Sequence, residues 1–113
     1  MTFDEYGKQA ITTLTSDHAY GDFSAELMAQ ILGLVGESGE VAEKVKKLIR
    51  DRNGELTDEI KAELLKELGD ILWYVNAVAE LLGSDISSVA ANNLQKVLSR
   101  KDRGVTKGSG DNR

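Results

Sequence analysis

The 113-residue sequence contains no cysteine and no proline, and aromatic residues make up only 5% of it. Without cysteine the chain can form neither disulfides nor thiolate metal sites. The absence of proline, together with abundant Ala, Leu, Glu, Lys and Val, favours long helices without interruption. No stretch approaches the roughly 18 consecutive apolar residues of a membrane span, and the amino terminus lacks the features of a secretory signal. We therefore expect a soluble, cytoplasmic protein without membrane association.

Positive charge is also scarce, because 14 Lys and Arg residues stand against 19 Asp and Glu residues, for a net charge of −5. This balance argues against binding to nucleic acid or to anionic membranes, which requires a basic surface. An acidic protein can still bind phosphate groups when metal ions lie between the two sets of negative charge. A chain of this length predicts one domain with a limited core, which oligomerisation would help to stabilise.

Apolar residues recur at helical spacing in most of the chain, which predicts an all-α fold. The predicted helices cover about residues 2–15, 24–50, 57–83 and 85–103. Asn53-Gly54 is a turn signal between the second and third helices. We therefore expect these two to form the antiparallel central hairpin of a four-helix bundle-like subunit. Residues 1–103 are assigned to the helical domain and the Gly-rich residues 104–113 to a polar C-terminal tail.

Acidic residues are grouped on the two predicted central helices. Glu37, Glu40 and Glu43 follow one another at three-residue spacing on the second helix, as do Glu67 and Asp70 on the third. Residues three apart lie on one side of a helix, and both groups stand at comparable distances from the turn. Carboxylates brought together in this way repel one another unless a cation binds between them. Ligands that offer only oxygen favour Mg²⁺, Mn²⁺ or Ca²⁺.

Glycines accompany these acids at Gly33, Gly36 and Gly39. A glycine in a helix interior lowers stability by about 1 kcal/mol relative to alanine. We therefore expect another helix or a ligand to approach the backbone closely beside the acidic stripe. A different interpretation of the same stripe is a solvated charged face, which would serve a non-catalytic helical module that contacts a basic partner.

The segments GLVGESGEVAEKVKK and KELGDILWYVNAVAELLG resemble the MazG-like, all-α nucleotide pyrophosphohydrolases. The motif of that family is E-x-x-E, a spacer and E-x-x-D, and it corresponds here to Glu40, Glu43, Glu67 and Asp70, with Glu37 upstream. The end of the chain, NNLQKVLSRKDRGVTKGSGDNR, is similar to that of one subgroup of the family. The resemblance thus covers about residues 25–113 and leaves the first residues weakly matched.

The resemblance implies Mg²⁺-dependent hydrolysis of a (deoxy)nucleoside triphosphate to the monophosphate and pyrophosphate, with Mn²⁺ as a substitute ion. It implies that Glu40, Glu43, Glu67 and Asp70 hold the metal. Glu37 and Glu40 are the candidate catalytic carboxylates, with Glu37 expected either to orient the attacking or a metal-bound water or to support the ligands from behind. The implied biological role is control or cleaning of the nucleotide pool. The candidate substrate contacts are basic, polar and aromatic side chains of the helices and the tail: Lys47, Tyr74, Asn93, Lys96, Arg100, Lys107 and Arg113.

Other expectations concern assembly and the nucleotide pocket. The apolar stripe of the third helix, from Leu64 to Leu82, is too wide for one neighbouring helix. We therefore expect a homo-oligomer, a tetramer in preference to a dimer, with sites near subunit interfaces that the tail can reach. Trp73 is expected in the core, and His18 and Tyr20 are placed at the edge of the nucleotide pocket. A further alternative is an Mg²⁺-dependent hydrolase of another phosphate compound, such as a diphosphate or an alarmone.

Overall fold

The computed structural model describes residues 1–15 and 19–113. Its elements are α1 (Phe3–Ala10), a 3-10 helix (Ile11–Thr13), α2 (Ala25–Arg52), α3 (Asp58–Leu81) and α4 (Ile86–Asp102). These described residues contain no strand, which confirms the predicted all-α class. The first helix ends earlier than expected, because the chain tightens into the 3-10 helix after Ala10.

The three long helices begin and end at the residues that local signals indicate. Ser24, Thr57 and Asp85 each accept a hydrogen bond from the backbone N–H three residues later, at 3.0, 3.3 and 2.7 Å. Such caps satisfy N–H groups that the first helical turn leaves unpaired. After α2, Asn53 and Gly54 adopt left-handed conformations with φ of 50° and 73°. Asparagine and glycine tolerate this region best, so the predicted turn between α2 and α3 forms there.

The hairpin of α2 and α3 is the principal packing unit of the described chain. Lys44 of α2 lies beside Glu63 of α3, while Gly33, earlier in α2, lies against Tyr74, later in α3. The order of contacts is thus reversed between the two helices, as an antiparallel pair requires. The acidic residues of both helices fall between these two contacts, so they are brought to the same level.

The single chain is not a compact bundle. α4 packs against α3, whereas α1 packs against none of the long helices in the described residues. Within this part of the chain the buried apolar residues are Leu27, Leu48 and Ala79 alone. The Cα radius of gyration is 20.1 Å, whereas a compact domain of similar length has about 13 Å. The bundle-like packing predicted for the subunit is therefore not seen within one chain.

Large apolar side chains remain on the surface of the hairpin. Leu65, Leu68 and Leu72 of α3 and Leu32 and Val35 of α2 are each more than half exposed. The wide apolar stripe expected on the third helix is thus present and uncovered. Among the described helices, none is both long enough and apolar enough to cross a membrane.

The contact between Gly33 and Tyr74 yields a stability prediction. A Cβ atom at Gly33 would lie 2.3 Å from Cε1 of Tyr74, whereas one at Gly39 would meet nothing within 4 Å. We expect Gly33→Ala to lower the free energy of unfolding by about 1–3 kcal/mol, because the ring must move. The control, Gly39→Ala, should raise it by about 0.5–1 kcal/mol through better helix propensity. Chemical denaturation measures both, and equal effects would contradict the close contact.

Candidate metal centre and phosphate contacts

Three carboxylates converge where α2 and α3 face each other. Glu37, Glu67 and Asp70 each offer one oxygen, and these oxygens lie within 4.8 Å of one another. Glu67 and Asp70 share one side of α3 because they are three residues apart, and the hairpin register sets Glu37 opposite them. We call these three residues the carboxylate cluster. An all-oxygen donor set of this kind suits Mg²⁺ or Mn²⁺.

Two oxygens of the carboxylate cluster are buried without compensation. Among the described residues, Oε2 of Glu37 and Oε2 of Glu67 have no hydrogen-bond partner. A buried acceptor without a partner destabilises the fold, and buried carboxylates are ordinarily paired with cations or coordinate metals. The cluster therefore fits a divalent cation, because it offers oxygen ligands and because its negative charge is not fully balanced by positive groups in the described chain.

The environment of Glu37 favours its protonated form. Burial is the largest cause that raises the pKa of Glu37, followed by the charge and hydrogen bonding of Glu40 and the charges of Asp70 and Glu67. Each of these effects disfavours the negative charge on Glu37 itself. A carboxylate with a raised pKa accepts a proton at a pH closer to neutrality, which suits a residue that takes a proton from water.

Lys44 offsets part of the charge of the carboxylate cluster. Its Nζ lies 3.5 Å from Oε1 of Glu67 and 3.9 Å from Oε2 of Glu63. Because Lys44 faces Oε1, the other oxygen of Glu67 is the one left without a partner. Lys44 is not among the residues singled out from the sequence. The available signal was its position four residues after Glu40, which puts both on one side of α2.

Glu43 is engaged by lysines of its own helix. Its Oε2 lies 2.9 Å from Nζ of Lys46, and its Oε1 lies 3.8 Å from Nζ of Lys47. The hydrogen bond from Lys46 is the main cause that lowers the pKa of Glu43. Lys47 also lines a groove of about 400 Å³ between α2 and α3, toward the hairpin turn. Lys47 is therefore exposed to solvent at the edge of this groove, with Glu43 as its neighbour.

The ligand set implied by the resemblance is therefore brought together in part. Glu67 and Asp70 converge, and Glu37, expected as a catalytic carboxylate, joins them. Glu40 and Glu43 are exposed. Glu40 influences the cluster through its effect on Glu37, whereas Glu43 lies outside it.

Two aromatic rings flank the carboxylate cluster. An open pocket of about 370 Å³ is lined by Glu37, Asp70, Trp73 and Tyr74. The half-buried ring of Tyr74 rests against Gly33 and meets Trp73 edge to face, with centroids 5.0 Å apart. Trp73, expected in the core, is 59% exposed in the single chain. Both rings thus lie at a position where they could line a nucleotide pocket.

Lys96 and Arg100 of α4 contact the tail through Asp111. Nζ of Lys96 lies 3.4 Å from Oδ1 of Asp111, and Nη2 of Arg100 lies 3.6 Å from the same oxygen. Arg100 also donates a hydrogen bond from Nη2 to the backbone carbonyl of Asp111. These cations lower the pKa of Asp111, with the hydrogen bond from Lys96 as the largest cause. The Arg100 side chain is only 10% exposed.

The tail folds back on itself around Arg113. The guanidinium of Arg113 donates hydrogen bonds to the carbonyl oxygens of Val105, Thr106 and Gly110, at 3.2, 3.1 and 2.6 Å. Arg103, at the end of α4, donates to the carbonyl of Arg113 at 2.9 Å. The donors of Arg113 are thus used within the tail in this conformation.

The other candidate residues are less constrained. Asn93 and Lys107 are exposed, as is Tyr20. His18 lies outside the described residues. Within the described chain, no ion pair or hydrogen bond connects the carboxylate cluster with Lys96 or Arg100.

The acidic motifs of the hairpin lie inside a known domain. Residues 25–105 match the family model described as the MazG nucleotide pyrophosphohydrolase domain. The chain belongs to this family. It is also 55% identical over 82 residues to the "Gene 37 protein" of Mycobacterium phage L5. This match covers 73% of the present chain and 72% of the phage protein. No solved structure shows a significant match. The family predicted from the two acidic motifs is thereby confirmed.

The convergence of the carboxylate cluster predicts the order of effects on metal binding. We expect Glu37→Gln and Glu67→Gln to weaken Mn²⁺ binding by more than about tenfold, because each removes a negative charge and replaces a carboxylate oxygen with an amide nitrogen. Glu43→Gln should weaken it less, because two lysines already engage that side chain. The control, Glu80→Gln, removes an exposed charge elsewhere on α3. Titration calorimetry measures the affinities, and a loss at Glu43 equal to that at Glu67 would contradict this order.

Proposed function

We propose that this protein hydrolyses (deoxy)nucleoside triphosphates to the monophosphate and pyrophosphate. Water adds to the α-phosphorus, the bond from this phosphorus to the oxygen that bridges it to the β-phosphate breaks, and pyrophosphate leaves. The observation that carries the proposal is the carboxylate cluster, whose oxygens lie within 4.8 Å of one another in a chain of the MazG family. The proposed role is control or cleaning of the cellular nucleotide pool.

The proposed cofactor is Mg²⁺, for which Mn²⁺ can substitute. Glu40, Glu43, Glu67 and Asp70 are the proposed ligands, and the buried Oε2 of Glu37 and of Glu67 support an ion at this face of the hairpin. When bound, a divalent ion supplies neutralisation of phosphate charge and activation of water. For Glu43 to take part, the side chain must leave Lys46.

Glu37 and Glu40 are the proposed catalytic carboxylates. Glu37 is proposed to orient the water that attacks phosphorus, because one of its oxygens lies within 4.8 Å of oxygens of Glu67 and Asp70. Glu40 lies one turn further along the same helix and is proposed to act with it. Tyr74 is proposed to line the sugar or base pocket, because its ring lies beside Glu37 and Asp70.

Cationic and polar groups outside the carboxylate cluster are proposed to bind the outer phosphates. Lysine and arginine form charge-assisted hydrogen bonds with phosphate oxygens, which makes them the natural contacts for a triphosphate. Since Lys96 and Arg100 do not contact the carboxylate cluster within the described chain, association of subunits is proposed to complete the site. The proposed phosphate contacts are Lys47, Asn93, Lys96, Arg100, Lys107 and Arg113.

The activity assay tests the reaction class. With Mg²⁺ and a panel of canonical and damaged dNTPs, we expect pyrophosphate release. Glu67→Gln and Asp70→Asn should lower kcat by more than about 100-fold, because they remove the negative charge of proposed metal ligands, while helical circular dichroism is unchanged. Lys96→Ala should mainly raise KM, whereas the control Lys101→Ala, on the same helix, should not. Release of orthophosphate would indicate another phosphate hydrolase, and an absence of turnover would indicate a non-catalytic interaction module.

The assembly is proposed to be a homo-oligomer, a tetramer rather than a dimer. The uncovered apolar surface and the radius of gyration of 20.1 Å support it. We expect light scattering to give about four times the chain mass of 12.3 kDa, and Leu65→Glu to shift the protein toward monomer, because the charge enters an apolar interface. Leu56→Glu, in the connection before α3, is the matched control. A stable and active monomer would refute the assembly.

A further inference from the structure

Asp111 of the tail contacts two of the cationic side chains that are proposed to bind phosphate, Lys96 and Arg100. One carboxylate oxygen, Oδ1 of Asp111, lies 3.4 Å from Nζ of Lys96 and 3.6 Å from Nη2 of Arg100. Arg100 is nine-tenths buried, and its Nε has no partner among the described residues. A phosphate group that approached this chain as it stands would therefore meet a carboxylate between the two cations.

We propose that the tail, residues 104–113, is an autoinhibitory strap. In this arrangement the Asp111 carboxylate takes the place of a phosphate oxygen between Lys96 and Arg100, and the substrate must displace it. The inference rests on the proposed function, in which Lys96 and Arg100 bind phosphate. It adds a residue, Asp111, that sets the affinity of the phosphate site.

The chemistry of the contact suits an exchange of this kind. Carboxylate and phosphate oxygens accept the same charge-assisted hydrogen bonds from lysine and arginine. The Asp111 side chain is 86% exposed, so it can leave for water without a change in burial. In the contact with Arg100 only the carboxylate end is exposed, whereas the guanidinium is nearly buried and needs an acceptor in place of Asp111. A phosphate oxygen would supply that acceptor.

The shape of the tail indicates a preformed unit rather than a chance contact. Arg113 holds the loop closed through three carbonyl oxygens. Gly108 and Gly110 bend the loop with φ of 126° and 88°, and Gly104, at the end of α4, has φ of 70°. These conformations are strained for other residues. Displacement of Asp111 from α4 requires the loop to move about Gly104 and to release the hydrogen bond from Arg103 to the carbonyl of Arg113.

A binding experiment on the full chain tests the strap without turnover. Binding of inorganic pyrophosphate is measured by calorimetry, in EDTA and at fixed ionic strength, for the wild type, Asp111→Asn and Asp102→Asn. The first variant keeps the backbone carbonyl that Arg100 contacts but loses the competing charge. The second makes the same change of net charge at an exposed acid at the end of α4, and it should behave as the wild type. We expect Asp111→Asn to bind pyrophosphate about two- to fivefold more tightly. Equal or weaker binding, or no binding by either protein, would overturn the strap.

A second measurement uses the unmodified chain, in case Asp111→Asn does not fold. Saturating pyrophosphate should shift the NMR signal of the Asp111 backbone amide, because this residue leaves Lys96 and Arg100. An unchanged signal at saturation would overturn the proposal. The dNTP assay separates the two ideas. Turnover without tighter binding by Asp111→Asn removes the strap alone, whereas tighter binding without turnover removes the proposed reaction alone.

Discussion

Repulsion among like charges that the hairpin holds together is the constraint on which this molecule depends. α2 and α3 keep oxygens of Glu37, Glu67 and Asp70 within 4.8 Å of one another, and two packed helices cannot separate to relieve the repulsion. Relief can come from a cationic side chain, from a proton or from a metal ion. Lys44 supplies the cationic side chain, and the raised pKa of Glu37 favours the proton. A metal ion bound by the cluster would supply positive charge to all three carboxylates, which is why the cluster suits a divalent cation.

Close approach of the two helices depends on one glycine more than on the others. Gly33 gives the ring of Tyr74 its place against α2, and that ring borders the pocket beside Glu37 and Asp70. Gly36 meets nothing within 4 Å in the single chain. The expectation that glycine admits a neighbouring group is therefore met at Gly33 by α3 itself. At Gly36 the backbone is exposed, and no other group of the described chain lies against it.

The sequence predicted well what local chemistry decides. Ser24 and Thr57 begin helices because their hydroxyls accept first-turn N–H groups, and Asn53-Gly54 reverses the chain because both tolerate positive φ. These signals involve residues a few positions apart, so no knowledge of the tertiary structure is needed. The hairpin follows from them, and with it the level at which the two acidic groups meet.

The composition of the carboxylate cluster could not be predicted in the same way. Each residue advances a helix by about 100°, so a step of three residues turns the side chain by about 60° from the one before. Glu37 and Glu43 thus differ by about 120° on α2, although each is a near neighbour of Glu40. A spacing rule treats these three acids as one face. In the structure, however, Glu37 faces the acids of α3, whereas Glu43 contacts Lys46 of its own helix. The folded tail escaped prediction because its hydrogen bonds join Arg113 to backbone carbonyls, which no side-chain pattern reveals.

Several charged groups of the proposed site already have an internal partner. Lys44 lies beside Glu67, Lys46 beside Glu43, and Lys96 and Arg100 beside Asp111. In the proposed function, substrate binding would therefore include an exchange of partners. A divalent cation would compete with Lys44 for Glu67, and phosphate would replace Asp111 beside Lys96 and Arg100. A metal–nucleotide complex carries both charges in one ligand, so it would make the two exchanges together. A free phosphate ligand would make only the exchange at Lys96 and Arg100, and a free cation would leave the tail in place.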